Sequence, residues 1–456
     1  MSVVPPGEMS HPLPPPPARF SWRRFGLMAG IIVLLAAGAL VILLAVGTEV
    51  GVGPLLIGVG TAVIPVPVLV ACFMWLDRYE PEPTRFLAFC FGWGACVATA
   101  VSLGVNTGMS VLFDDWGLSQ NLVAILVAPV IEETTKMLGP LLLLWRRRKH
   151  FSGIVDGIVY CGLSATGFAM AENILYISGV YVSGEREGGA ATGALSVVAL
   201  FVVRILLTGF AHPLFTSMTG VGLGIAARTA KRSRRILAPI GMLLIAMLLH
   251  GSWNLLASSG ARVLAVGYVS VMVPIFLTAV GGAIWIRAWE ARLVGRVLPA
   301  YVGTGWLTAP EVASLVTFGR RSSARNWARK ILGDQGVAAM RGFQFTATQL
   351  AMLRDGFLRG RADPDYQAEE HALLRSMSAH RAVYTGRDPS VPPVHWDGAR
   401  YHLPLPDGSV RAVSPPAQAV VPVAVPVVPV VGRMGPGMPG GMPGPGMPPP
   451  PPYGFR

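Results

Sequence analysis

The feature that most constrains this chain is a series of apolar runs, each long enough to cross a lipid bilayer. Stretches near 25–46, 51–75, 86–107, 119–145, 153–177, 194–228, 236–257 and 263–289 are almost wholly apolar. About 20 residues at 1.5 Å each span a hydrocarbon core roughly 30 Å thick. A chain that is 52% hydrophobic and only 13% charged cannot hide so much apolar surface in one water-soluble core. Backbone in lipid must satisfy its own hydrogen bonds, so these runs are expected to be helices.

The basic residues support that reading. The net charge of +13 would suit a nucleic-acid binder, but the arginines and lysines cluster where apolar runs end. Anionic lipid headgroups are therefore the expected partners, and no nucleic acid is expected. Arg19, Arg23 and Arg24 precede the first run, Arg78 and Arg85 follow the second, Arg146 to Lys149 follow the fourth, and Lys231 to Arg235 follow the sixth. Their alternation predicts a multi-pass protein of the cell membrane with both termini cytoplasmic. The 35-residue run 194–228 must then cross once, with a break near Gly209 and His212-Pro213.

The expected architecture is all-α: a polytopic membrane helix bundle of about eight transmembrane helices in 23–292. A Pro-rich lead covers 1–22, with no cleaved leader expected, and a small helical cytoplasmic appendage covers 300–385. Residues 386–456, rich in Pro, Gly and Met, are expected to form no core. Cys72, Cys90, Cys96 and Cys161 lie in or beside apolar runs without CxxC spacing, which argues for buried thiols rather than disulfides. Gly220, Gly222 and Gly224 follow no strand and read as close helix packing.

Ionisable groups inside apolar runs carry the functional signal, because each costs about 2.5–3.5 kcal/mol to insert unless paired. The fourth run holds Glu132, Glu133 and Lys136; the fifth holds Asp156, Tyr160, Ser164, Phe168, Glu172 and Tyr176 at four-residue spacing; the sixth holds Arg204 and His212; the seventh holds His250 and Asn254 one turn apart. Measured from the flanking basic clusters, Glu132 and His250 fall at similar depths of about 21–22 Å. Such a set suits one zinc ion per chain. His212, His250 and Glu172 are the expected ligands, with Glu132 competing with Glu172 for the third place. Glu132 or Glu133 would be the general base, and Asn254 would steady the oxyanion. Lys136, Phe168, Asp156, Tyr160 and Arg204 are expected to support the site. An ion-coupled transporter would also place carboxylates at mid-membrane, but the runs show no paired broken segments. A catalytically inactive scaffold, docking partners through the appendage or tail, is the third reading.

The pattern EExxK at Glu132, Glu133 and Lys136, FxxxE at Phe168 and Glu172, His212 before a helix, and HxxxN at His250 and Asn254 resembles the PrsW family of intramembrane metalloproteases. More distantly it is similar to the CAAX-prenyl endopeptidase and bacteriocin-processing superfamily. DRYEPEP at 77–83, the stretch 151–176 and the segment after GWLTAPEVASL look like the actinobacterial branch, and the resemblance covers roughly 60–385. It implies an eight-helix zinc protease that cuts a single-span membrane protein, with anti-sigma factors as the suggested class. It also implies that Glu132 activates water, with Glu172 and His250 completing the site. The chain departs from the family where Asn254 replaces a frequent Asp, and from the superfamily where Glu172 replaces a His.

Overall fold

The structure is a computed structural model that describes residues 22–79, 81–147, 151, 153–360, 365–385, 387, 395–404 and 410–414. The expected N-terminal lead falls outside them apart from Trp22, as does the tail beyond 414. The described chain is helical from Trp22 to Tyr384, apart from short connections. α1 is Trp22–Val50, and α2 (Val52–Val63) and α3 (Val66–Leu76) are joined through Pro65. α4 (Thr84–Gly92) continues through a π-helical turn, Trp93–Ala98, into α5 (Thr99–Asp115). α6 (Gln120–Leu122) passes through a second π-turn, Val123–Val127, into α7 (Ala128–Arg146).

α8 (Ile154–Leu200) is bent into two antiparallel arms at Gly188 and Gly189, where Gly189 takes φ +81°, a conformation that costs a side chain but not a glycine. The second arm ends in a π-turn, Phe201–Leu207, and after a short break the chain resumes as α9 (Ala211–Arg228). α10 is Arg232–Ser258, and α11 (Ala261–Gly267) leads through a fourth π-turn, Tyr268–Met272, into α12 (Val273–Val297).

Six helices among the described residues are long and apolar enough to cross a membrane: Gly26–Val50, Val52–Leu76, Thr84–Asp115, Ile154–Arg228, Arg232–Ser258 and Ala261–Tyr301. The difference from the eight runs of the sequence has two physical sources. α7 carries Glu132, Glu133 and Lys136, so its composition is too charged to qualify. The runs 153–177 and 194–228 fall within one 75-residue helical stretch that doubles back at the Gly188 bend.

Small residues let the central helices touch. A Cβ on Gly157 would stand 2.0 Å from the Gly220 carbonyl oxygen, and one on Gly220 would stand 2.2 Å from that of Gly157. Backbone contact of this kind is how helices associate where lipid removes any hydrophobic drive between them. α8 and α9 are therefore held close where Gly157 meets Gly220 and Gly224. All four cysteines are free.

Past the bundle, α13 (Ala309–Leu315), α14 (Phe318–Leu358) and α15 (Tyr366–Tyr384) pack Leu315, Phe343, Leu350, Leu374 and Met377 against Leu298 and Tyr301. Thr308 caps α13 reciprocally with Glu311: the Glu311 N–H donates to Thr308 Oγ1 at 3.3 Å, and the Thr308 N–H donates to Glu311 Oε2 at 2.8 Å. This helical lobe is tied to the bundle by Arg228, which donates to Asp355 Oδ2 at 2.8 Å. Within the segment expected to form no structure, the described residues make a small antiparallel sheet, β1 (His395–Trp396), β2 (Tyr401–Pro404) and β3 (Val410–Val413). That corrects the expectation over these residues. Tyr401 of β2 sits opposite Val413 of β3, an aromatic and β-branched cross-strand pair.

Candidate metal centre

α7 supplies the acidic side of the site. Glu132, Glu133 and Lys136 lie within one and a third turns and are all buried. The Lys136 ammonium donates to Glu133 Oε1 at 2.8 Å and approaches Glu132 Oε2 at 3.5 Å. It also lies 4.0 Å from the centre of the Phe168 ring, on α8, a cation–π contact that replaces lost water. The Ser164 hydroxyl donates to the Lys136 carbonyl at 2.9 Å, joining α8 to α7 behind the site.

The two histidines arrive from α9 and α10, and each is held by a carboxylate. His250 Nδ1 is 3.0 Å from Glu133 Oε1, and His212 Nε2 is 2.8 Å from Glu172 Oε2. An ionised carboxylate only accepts, so these ring nitrogens carry the protons. The lone pairs are then on His212 Nδ1 and His250 Nε2. His212 Nδ1 lies 3.2 Å from the Lys136 ammonium, and His250 Nε2 lies 3.8 Å from Glu132 Oε2. Carboxylates that fix the far nitrogen of a histidine are the usual outer partners of metal-binding imidazoles.

Glu132, His212 and His250 each offer a ligand atom, and these atoms lie within 4.8 Å of one another. Ligands at about 2.0–2.2 Å around a tetrahedral ion stand about 3.4 Å apart, so small side-chain rotations suffice. The charges also fit a cation. Counted as ionised, the three carboxylates Glu132, Glu133 and Glu172 face two fixed cations, Lys136 and Arg204, one charge short of balance. A proton or a further cation would offset that charge.

Arg204, on the Phe201–Leu207 π-turn, meets Glu172 Oε2 at 2.6 Å and donates through Nε to Asn173 Oδ1 at 3.0 Å. The cluster opens onto a cavity of about 1210 Å³ lined by Glu132, Glu172, Arg204, His212, Asn106 and Asn254, among others. Along α8 the lining runs from Phe168 to Val180, about 18 Å of helix. This is room for a peptide segment beside the cluster.

A family model for PrsW-protease, described as the PrsW family intramembrane metalloprotease, matches residues 82–279, the stretch that contains all of these side chains. Residues 82–279 belong to the PrsW family. Protease PrsW of Clostridioides difficile (strain 630) is 36% identical over 119 residues, 25% of this chain and 48% of that protein. Protease PrsW of Bacillus subtilis (strain 168) is 26% identical over 208 residues, 44% of this chain and 83% of that protein. The chain thus spans about half the length of the first relative and most of the second. No solved structure matches.

In this PrsW core the structure gathers Glu132, Glu133, Lys136, Phe168, Glu172, Arg204, His212 and His250 into one contact network. Glu172, expected among the ligands, stands outside the set of three, between His212 and Arg204. Arg204 pairs with Glu172. Asn254 lines the cavity and donates from Nδ2 to the Ala124 carbonyl at 2.7 Å. Asp156 and Tyr160 lie in a separate region: Asp156 Oδ2 accepts from the Gly153 N–H at 3.0 Å, and the Tyr160 hydroxyl donates to Glu82 Oε2 at 2.5 Å.

Two contacts were missed in the sequence. Thr216 donates to Glu133 Oε2 at 2.7 Å, and Asn106 donates from Nδ2 to Glu132 Oε1 at 3.2 Å. Thr216 follows His212 by four residues, so its place on the same helix face was readable. Asn106 is an amide in the otherwise apolar run 86–107, a signal of the same kind as the glutamates.

Proposed function

We propose that this chain is a zinc-dependent intramembrane endopeptidase that cuts a membrane-anchored, single-span protein, with an anti-sigma factor as the favoured class of substrate. The observation that carries the reading is the convergence of Glu132, His212 and His250, each offering a ligand atom within 4.8 Å of the others, beside a cavity of peptide size. His212, His250 and Glu132 would hold the ion, with Glu172 and Glu133 orienting the imidazoles. Bound zinc supplies polarisation of the scissile carbonyl and a nucleophile at neutral pH. This assignment exchanges the duties expected of the two cavity-facing carboxylates. Glu172 takes the proton of the attacking water and returns it to the leaving amine, held in position by Arg204. The second N–H of Asn254 Nδ2 is left to steady the developing oxyanion.

The topology that accompanies this reading has eight crossings. α7 and the broken arm 190–228 each cross once, and both termini are cytoplasmic, as the basic clusters direct. The helical lobe after α12 then faces the cytoplasm, beside anionic headgroups, where a docking partner could reach it.

The test is metal analysis of the purified full chain together with cleavage of candidate single-span proteins in cells. Wild type is expected to hold about one zinc per chain; Glu132→Gln loses the zinc and the cleavage, whereas Glu172→Gln keeps the zinc and loses the cleavage. Active wild-type protein free of metal would sink the mechanism. Zinc retained in Glu132→Gln and lost in Glu172→Gln would restore the roles expected from the sequence.

A further inference from the structure

Asn106 lies on α5, which contributes no other side chain to direct contact with Glu132, Glu133 or the histidines among the described hydrogen bonds and ion pairs. Its amide has one polar contact there, the Nδ2–H bond to Glu132 Oε1 at 3.2 Å. Because a carboxylate can only accept, that bond fixes which end of the amide faces Glu132. The other end, Oδ1, is buried and meets no hydrogen-bond donor in the structure. An amide retained only for packing would satisfy both ends or be replaced by an apolar side chain of the same shape, since a buried acceptor left unpaired is unfavourable. Here the single satisfied end is the one aimed at Glu132.

Geometry gives that bond a consequence. Glu132 has two oxygens with different surroundings: Oε2 faces Lys136 and His250, at 3.5 and 3.8 Å, and Oε1 is held by Asn106. Without Asn106 the carboxylate keeps only the longer Lys136 contact to Oε2, so its turn about the last bond is less restrained. Glu133 hydrogen-bonds the His250 ring, and Glu172 Oε2 stands 2.8 Å from His212 Nε2 as an ion-pair contact. Each of the three donor residues thus has one outer partner from a different helix: α7 for His250, α8 for His212 and α5 for Glu132.

We propose that Asn106 is a positioning residue that completes the outer shell of the metal centre by locking the Glu132 carboxylate with Oε2 toward His212 and His250. The proposal rests on the zinc-binding reading above. Loss of an outer partner of a metal ligand typically weakens metal affinity by 10–100-fold.

The test is zinc affinity of the detergent-purified full chain, by competition with a chelator of known affinity, for wild type, Asn106→Leu, Asn106→Gln and the neighbouring cavity variant Thr107→Val. Asn106→Leu is expected to bind zinc roughly 10–100-fold more weakly, with unchanged stoichiometry at saturating metal. Asn106→Gln, which keeps an amide donor, is expected to recover most of the loss, and Thr107→Val to match wild type. Equal affinity of wild type and Asn106→Leu would overturn the proposal. So would folded Asn106→Gln binding zinc roughly 10–100-fold more weakly than wild type, a comparison that also decides the matter should Asn106→Leu fail to fold. Wild-type protein that binds no zinc at all would instead defeat the metalloprotease reading on which the proposal stands.

Discussion

Lys136 is the side chain on which the buried charges depend. Its ammonium, fully out of solvent, answers Glu133 directly and Glu132 at longer range while the Phe168 ring covers it. Lys136→Met keeps the length of the side chain but leaves Glu133 facing His250 and Thr216 with no cation. Removing one partner of a buried pair costs about 3–5 kcal/mol, so the midpoint of thermal unfolding in detergent should fall by several degrees. An unchanged midpoint would show that the lysine contributes little to holding the fold. The sequence made the identities of these residues legible because charges inside apolar runs are rare enough to stand out. It did not make legible which nitrogen of each histidine is engaged. That depends on which carboxylate reaches which ring, a matter of helix rotation that spacing along one helix does not fix. Glu172 illustrates the limit: it was expected among the ligands, yet it stands between Arg204 and the far side of His212.

At the level of elements, helix existence was readable from apolar length, and helix ends followed basic clusters, prolines and the Thr308 cap. The four π-turns, Trp93–Ala98, Val123–Val127, Phe201–Leu207 and Tyr268–Met272, were not readable. A π-turn is one extra residue accommodated within a helix, and it leaves no periodic trace strong enough to see against a uniformly apolar background. Two of them adjoin the site: one carries Arg204, and another opens into α7 just ahead of Glu132. The break that precedes His212 was legible because proline and glycine mark it. The glycines of α8 and α9 are a sharper matter. Gly220→Leu would place a side chain against the Gly157 backbone, where even a Cβ has only 2.2 Å. The two helices would have to separate, so the variant should show a clearly lowered unfolding midpoint and loss of monodisperse protein in detergent. Gly241→Ala, where nothing lies within 4 Å of the added carbon, is the matched control and should behave like wild type.

Across the whole molecule, a polar link at Arg228 joins the bundle that carries the candidate metal centre to the helical lobe through groups that are mostly out of solvent. Arg228 at the end of α9 bonds Asp355 on α14, approaches Glu290 at 3.6 Å, and lies over the Trp289 ring at 4.6 Å. Arg228→Ala and Asp355→Ala should each destabilise the chain, and the double variant should lose less than the sum, with a coupling energy of about 0.5–3 kcal/mol in a double-mutant cycle. Additive losses would mean that the pair is incidental. No sequence pattern announced this joint, because both partners are ordinary charged residues 127 positions apart. α9 is unbroken from His212 to Arg228, about 24 Å of rigid rod. An imidazole deep in the bundle and a guanidinium at its rim are therefore opposite ends of a single strut. Whatever grips or releases the outer lobe pulls on the same rod that holds the inner ring, and force can travel that distance without any channel for a messenger.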